Sequence, residues 1–244
     1  MEFNNITILG GGVLGTQIAM QSAYCGQEVT LWLRGKSSIK RTEPKLERLE
    51  KVYLKMARHM KSGKEDAFCG GLADSYDSFN YEEAVRKIKD AKNHIHIELD
   101  LKKAVKGADI VIESISENKK LKIQLFKDLS KVLEKDTLLV TNSSSFLPSV
   151  FMDYTGRPER FLALHFANNI WKQNITEVMR TDKTSDRSFQ DAIDFSESIN
   201  MEPMKVNKEK EGYVLNTLVI PLLSNALDLL VDGVASPEDI DKSW

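Results

Sequence analysis

The stretch Ile6-Thr7-Ile8-Leu9-Gly10-Gly11-Gly12-Val13-Leu14-Gly15 decides the fold. Its first four residues are short, apolar or β-branched, as a buried strand requires, and they stop at three glycines. From Val13 to Tyr24 the apolar positions return at helical spacing, up to Gly26. The glycines fit G-x-G-x-x-G: one makes the tight turn, one lets the backbone approach a pyrophosphate, one lets the helix pack on the strand. The unpaired amides that open the helix then hold the phosphates. A second buried strand over 28–33 closes the unit, so Gly10, Gly12, Val13, Leu14 and Gly15 are read as cofactor-binding residues. The plainer alternative is a structural glycine turn.

Further apolar runs at 94–97, 109–112, 137–140, 161–164 and 177–179 alternate with helical segments, which predicts crossover units on a mainly parallel sheet, an α/β fold. Between the second and third strands a charged segment over 42–90, broken near Ser62-Gly63 and Gly70-Gly71, predicts a helical arm standing off the sheet. Its first part is rich in lysine and arginine, Lys51 and Lys55 among them. That is either a solvated helix face or a cleft for a phosphorylated substrate tail. After Met204 the pattern changes to a strongly apolar helix over 214–231, in which Pro221 predicts a kink or restart, and Ser236-Pro237 opens another helix. The expected organisation is a dinucleotide-binding domain over 1–204 carrying the arm, then a short, incomplete helical domain over 205–244.

Lysine plus arginine (34) against aspartate plus glutamate (36) leaves a net charge of −2, so no global field draws the chain onto nucleic acid or anionic lipid. No segment approaches the roughly 18 apolar residues that span a bilayer, and the start lacks a basic region followed by an apolar core and cleavage site. A cytoplasmic protein without membrane or nucleic-acid partners is expected. Cys25 and Cys69 are too few for a disulfide framework or a four-thiolate zinc site and are read as buried or inert thiols.

Among the four histidines, His94 and His96 flank Ile95 on a strand, which predicts one shared face; without a third ligand nearby a metal pair there is disfavoured. His165 differs. It follows the strand Phe161-Leu162-Ala163-Leu164, at the carboxyl end where open parallel sheets place their ligands, and Glu177 comes one strand later. A histidine beside a nicotinamide takes a hydroxyl proton if a carboxylate orients it and supports its charge. At the end of the second strand, Leu33 stands where an acid would bond the adenosine ribose, and Arg34-Gly35-Lys36-Ser37-Ser38 follows. Nothing there repels a 2′-phosphate, so both NADP and NAD are considered, with Arg34 as a cofactor contact.

GGGVLGTQIA at the start, ESISENKKLKIQLFKDL at 113–129, TNSSSF at 141–146, RPERFLALHFANN at 157–169, TEV at 176–178 and GYVLN at 212–216 together resemble the L-3-hydroxyacyl-CoA dehydrogenase family, including the 3-hydroxybutyryl-CoA dehydrogenases. The match is in order and nearly spans the chain. It implies a Rossmann-type domain with a helical arm, then an all-helical C-terminal domain that supplies dimer contacts. It implies a catalytic pair at His165 and Glu177, with Ser144 and Asn216 completing the catalytic set; Glu117, Lys122, Ser144 and Asn168 fall on cofactor contacts. The implied reaction passes a hydride between NAD or NADP and the 3-hydroxyl of an acyl-CoA, as in fatty acid metabolism, in a homodimer. Three departures stand out. His165-Phe166-Ala167-Asn168-Asn169 replaces the family's His-Phe-Phe-Asn-Pro, the adenosine acid is missing, and the chain stops where further helices would begin. The departures keep two other readings open: a dehydrogenase of a free hydroxy acid, of the L-gulonate or carnitine type, and a nucleotide-binding structural or regulatory relative.

Overall fold

The computed structural model describes residues 2–244. Its frame is an eight-stranded sheet built in chain order from β1 (Asn5–Leu9), β2 (Glu28–Trp32), β3 (Ile95–Glu98), β4 (Ile110–Glu113), β5 (Leu138–Thr141), β6 (Phe161–Phe166), β7 (Ile175–Met179) and β8 (Glu202–Val206). In space the strands run β3-β2-β1-β4-β5-β6-β7-β8. All neighbours are parallel except β6 and β7, which pair antiparallel. Strands β4, β5 and β6 are buried at every position, because helices cover both faces of a doubly wound sheet. The helices are α1 (Val13–Tyr24), α2 (Lys36–Met60), α3 (Tyr81–Asp90), α4 (Leu101–Ala104), α5 (Lys119–Leu129), α6 (Asp186–Ser198), α7 (Leu215–Val231) and α8 (Pro237–Asp241).

Four features differ from the sequence reading. The arm begins at Lys36 rather than near 42, and its helix passes through Pro44, an exposed position. It does not stand free: Leu49, Tyr53, Ala57 and Met60 recur at helical spacing and are buried, and the Tyr53 hydroxyl donates to Gln21 Oε1 of α1 at 2.7 Å. Helix α1, with the sheet and the arm around it, is therefore buried from Gly15 to Tyr24. Second, β8 carries the sheet to Val206, past the boundary expected at 204. Its Pro203 hid it from a strand pattern, and an edge strand is where proline is tolerated.

Third, α7 continues through Pro221 without the restart that is one of the two outcomes expected there. Ser236, by contrast, caps α8 as expected, accepting from the Asp239 amide. Fourth, His94 closes a short 3-10 turn while His96 lies in β3, and both converge on the Glu28 carboxylate, at 2.7 and 3.1 Å. Among the described residues no group of three or more His, Cys, Asp or Glu could hold a metal ion. No helix of the described residues is long and apolar enough to cross a membrane.

Candidate active site

A cleft of about 510 Å³ opens beside the carboxyl ends of β1, β2, β4 and β5. Gly10, with φ +122°, sits so close to β4 that an added Cβ would lie 2.5 Å from the Ser114 carbonyl oxygen. At Gly15 a Cβ would meet the Gly10 carbonyl at 2.0 Å, which is the helix–strand packing role. Gly12 differs: nothing lies nearer than 4.0 Å to its would-be Cβ, and it opens α1 without a side-chain cap. The open backbone and the free first turn of α1 fit a pyrophosphate. Val13 and Leu14 line the cleft, as do Glu117, Ser144 and Asn168.

The adenosine end is built from Arg34 and the start of the arm, whose basic residues in sequence are open between a solvated face and a cleft for a substrate tail. Leu33 is buried, and Arg34, Ser38, Arg41, Thr42 and Lys45 line the cleft. Arg41 Nη2 donates to Ser38 Oγ at 3.2 Å, and Lys45 Nζ donates to the Gly11 carbonyl at 2.9 Å. Thr42 occupies the space beside Gly11, where a Cβ would fall 2.2 Å from its hydroxyl oxygen. A helical repeat of 38, 41, 42 and 45 places all four on one side of the first turns of α2, and that periodicity was the available signal.

At the other end, β6 and β7 pair His165 directly opposite Glu177. His165 Nδ1 lies 2.9 Å from Glu177 Oε2, and Nε2 lies 3.0 Å from Ser144 Oγ. With the ring proton on Nδ1 donated to the carboxylate, Nε2 is the free base facing the hydroxyl. The second Glu177 oxygen accepts from the backbone amides of Val214 and Leu215, both at 2.8 Å, as the chain enters α7. Burial alone would push the Glu177 carboxyl up. The bonds from His165, Leu215 and Val214 outweigh it and hold the group below its ordinary value.

Behind the loop that carries Ser144 stands a second set of charges. Glu117 Oε1 accepts from Ser143 Oγ and from the amides of Ser144 and Ser145, at 2.8, 2.7 and 3.0 Å. Lys122 does not line the cleft; it is buried, with Nζ 2.6 Å from Glu113 and 3.1 Å from Glu117. Glu113, fully buried, also accepts from Thr141 Oγ1 and the Ile115 amide. Asn216 sits in the first turn of α7 and is not among the residues that line the cleft. Asn169 takes φ +61°, which a proline at that position could not adopt, and its amide donates to Gln17 Oε1 at 2.9 Å.

The sequence reading passed over Tyr213. It lies inside the GYVLN run that was read for Asn216, and no local pattern marks a ring that stacks on a residue 48 positions away. Its ring is parallel to His165, with centroids 4.5 Å apart and 16° between planes. Its hydroxyl donates to the Ser143 carbonyl at 2.6 Å. It is buried at φ +53°, a conformation that costs a non-glycine residue about 1–2 kcal/mol.

A dinucleotide cradle and an oriented acid–base histidine along the same carboxyl edge of the sheet are the parts of a nicotinamide-dependent dehydrogenase. Two family models match it: "3-hydroxyacyl-CoA dehydrogenase, NAD binding domain" over 5–210 and "3-hydroxyacyl-CoA dehydrogenase, C-terminal domain" over 212–244. The chain belongs to the 3-hydroxyacyl-CoA dehydrogenase family. It is 31% identical over 239 residues to the mitochondrial hydroxyacyl-coenzyme A dehydrogenase of Homo sapiens, covering 97% of this chain and 69% of that protein. To the 3-hydroxybutyryl-CoA dehydrogenase of Clostridioides difficile it is 28% identical, covering 98% of this chain and 75% of that one. A solved diketoreductase, described for dual catalysis of dicarbonyl compounds, superposes with a TM-score of 0.82 at 39% identity, covering all of this chain and 78% of its own.

The Glu177 environment has a pH consequence. A carboxyl held below its ordinary 4.5 in the fold stabilises it above that pH, and the contribution is lost as pH falls through the folded value. Denaturant titrations between neutral and acid pH should show wild-type stability declining below about pH 4.5, and Glu177→Gln declining less steeply. Parallel curves would mean that Glu177 carries no such linkage.

Proposed function

We propose that the protein interconverts a 3-hydroxyacyl-CoA and the 3-oxo thioester. The observation that carries this reading is the line of contacts Ser144–His165–Glu177 beside a cleft that begins at the glycine loop. A bound nicotinamide supplies the acceptor for the hydride. His165 Nε2 takes the hydroxyl proton from a substrate that Ser144 helps to place, and Glu177 holds the ring and supports the charge that forms on it. Asn168 contacts substrate or cofactor from the cleft wall. Asn216 reaches substrate only if the first turn of α7 borders it when the site is filled. Lys122 acts through Glu117, which braces the Ser144 loop.

A second reading has support of its own. The 39% identity to a diketoreductase supports a small dicarbonyl compound as substrate. Against a purely structural or regulatory relative stands the hydrogen-bonded Ser144–His165–Glu177 geometry, which a protein without turnover has no reason to keep. For the cofactor, Arg34 and Arg41 with the Ser38 hydroxyl are suited to a 2′-phosphate, and buried Leu33 offers no carboxylate against it. NADP is therefore expected to bind at least as well as NAD. Two free cysteines, Cys69 buried, favour a reducing, cytoplasmic setting. The exposed Leu218, Ile220 and Leu227 of α7 favour a homodimer that covers them.

His165→Ala and Glu177→Gln should each retain cofactor binding and lose turnover by on the order of 10²- to 10⁴-fold. Near-wild-type rates where chemistry limits would remove the assignment. Assayed side by side, acetoacetyl-CoA should exceed a free diketo acid in kcat/KM; the reverse order would establish the second reading. Titration of both cofactors should show Arg34→Gln with Arg41→Gln losing NADP affinity selectively, by roughly 1.5–3 kcal/mol for each charge-assisted contact removed. An equal loss for NAD would show that neither arginine meets a 2′-phosphate. Light scattering at micromolar concentration should give twice the monomer mass, and a monodisperse monomer would count against the dimer.

A further inference from the structure

Residues 212–215 lead from the connection after β8 into α7, and three of them reach His165, Glu177 and the residue before Ser144. Tyr213 stacks on His165 and binds the Ser143 carbonyl, next to Ser144; Val214 and Leu215 bind Glu177 through their amides. Gly212 and Tyr213 are both in the left-handed region, with φ +78° and +53°. A β-strand or helix accepts neither value. The segment holds this shape because its contacts over-determine it, and its side-chain and amide bonds to Ser143 and Glu177 end on the site.

The imidazole needs such a contact for a geometric reason. Glu177 at Nδ1 and Ser144 at Nε2 both bind in the plane of the ring. Neither bond meets the face of the ring, so rotation about its Cβ–Cγ bond is opposed only by these two bonds and by what packs on that face. That rotation swings Nε2's lone pair away from the proton it must take. A parallel ring at 4.5 Å blocks it. The stacking ring is itself fixed at its far end, since the Tyr213 hydroxyl donates to the Ser143 carbonyl at 2.6 Å. Burial pushes its phenol pKa up, so the group remains a neutral donor. The electron-rich ring face also favours the imidazolium that forms when the substrate hydroxyl gives up its proton.

We propose that Tyr213 is a positioning residue for proton transfer: its ring fixes the plane of His165, and the strap at 212–215 makes the catalytic line depend on the start of α7. The inference rests on His165 being the base. The test compares Tyr213→Leu, which keeps apolar bulk without a stack, with Tyr213→Phe, which keeps the stack and loses the hydroxyl. Acetoacetyl-CoA and the better-bound of the two nicotinamide cofactors are the probes. Tyr213→Leu should lower kcat roughly 10- to 100-fold while the substrate KM and the cofactor Kd stay within about twofold, because the ring orients the base and is buried outside the lining of the cleft. Tyr213→Phe should recover kcat to within about threefold of wild type. A merely structural tyrosine would lower the melting temperature in both variants and leave the kcat of the folded fraction unchanged. Either that result or a Phe variant as slow as the Leu variant overturns the proposal. If Tyr213→Leu does not fold, Tyr213→Met at the same position is read by the same kcat-against-KM split. His165→Ala separates the two failures: an active His165→Ala removes the base assignment itself, whereas an inactive one beside an unimpaired Tyr213→Leu removes only the role of the ring.

Discussion

The site depends on one reversal of chain direction. The connection between β6 and β7 spans only 167–174, and a parallel neighbour would need a crossover of about a dozen residues or more. The chain therefore returns antiparallel, and in that register His165 and Glu177 are cross-strand partners. Side chains so paired stand about 5 Å apart at Cβ, near enough for an imidazole and a carboxylate to meet without either leaving its strand. The carbon framework of the acid–base pair is thus as rigid as the sheet. A sheet position also explains why the pair tolerates its burial: strands on both sides hold the backbone while the side chains satisfy one another.

A buried carboxylate is costly unless every oxygen is paired. Glu177 meets this requirement by drawing on two elements, the His165 ring from β6 and the amides that begin α7. Those amides would otherwise be among the unpaired donors of a helix N-terminus, so one contact satisfies both the acid and the helix. The same logic recurs at Glu117, whose carboxylate collects the amides of Ser144 and Ser145 and the Ser143 hydroxyl, while Lys122 behind it is shared with Glu113. Neither carboxylate is an isolated ion. Each helps to fix the loop whose amides it collects.

How much of this is legible in the sequence varies with range. The glycine loop, the first six strands and the Ser236 cap follow from local rules of strand, turn and helix, and they are found where those rules place them. His165 and Glu177 stand out because a residue type that suits proton transfer falls at the end of an apolar strand. The misses share a cause. β8 is a strand by virtue of lying beside β7 and not by its own composition, which includes Pro203. Lys45 and Arg41 look like surface charge on an arm until the arm folds back over α1 and brings its first turns to the glycine loop. Tyr213 is one aromatic in an apolar run, and only tertiary structure shows which ring it faces.

The arm then has a role at the cofactor end that mirrors the role of α7 at the catalytic end. Gly11 has room only for a hydrogen, because Thr42 fills the space beside it and Lys45 donates to its carbonyl. That carbonyl is directed at the arm, which leaves the neighbouring Gly12 and the opening turn of α1 turned towards the cleft. The glycine loop is held open from outside the sheet by a helix that is itself seated through Tyr53 on Gln21 of α1. The two ends of the active cleft are therefore completed by helices lying outside the parallel sheet, and each is tied to it through contacts with backbone groups that would otherwise lack partners. Changes within the first three turns of the arm therefore reach the glycine loop through Thr42 and Lys45.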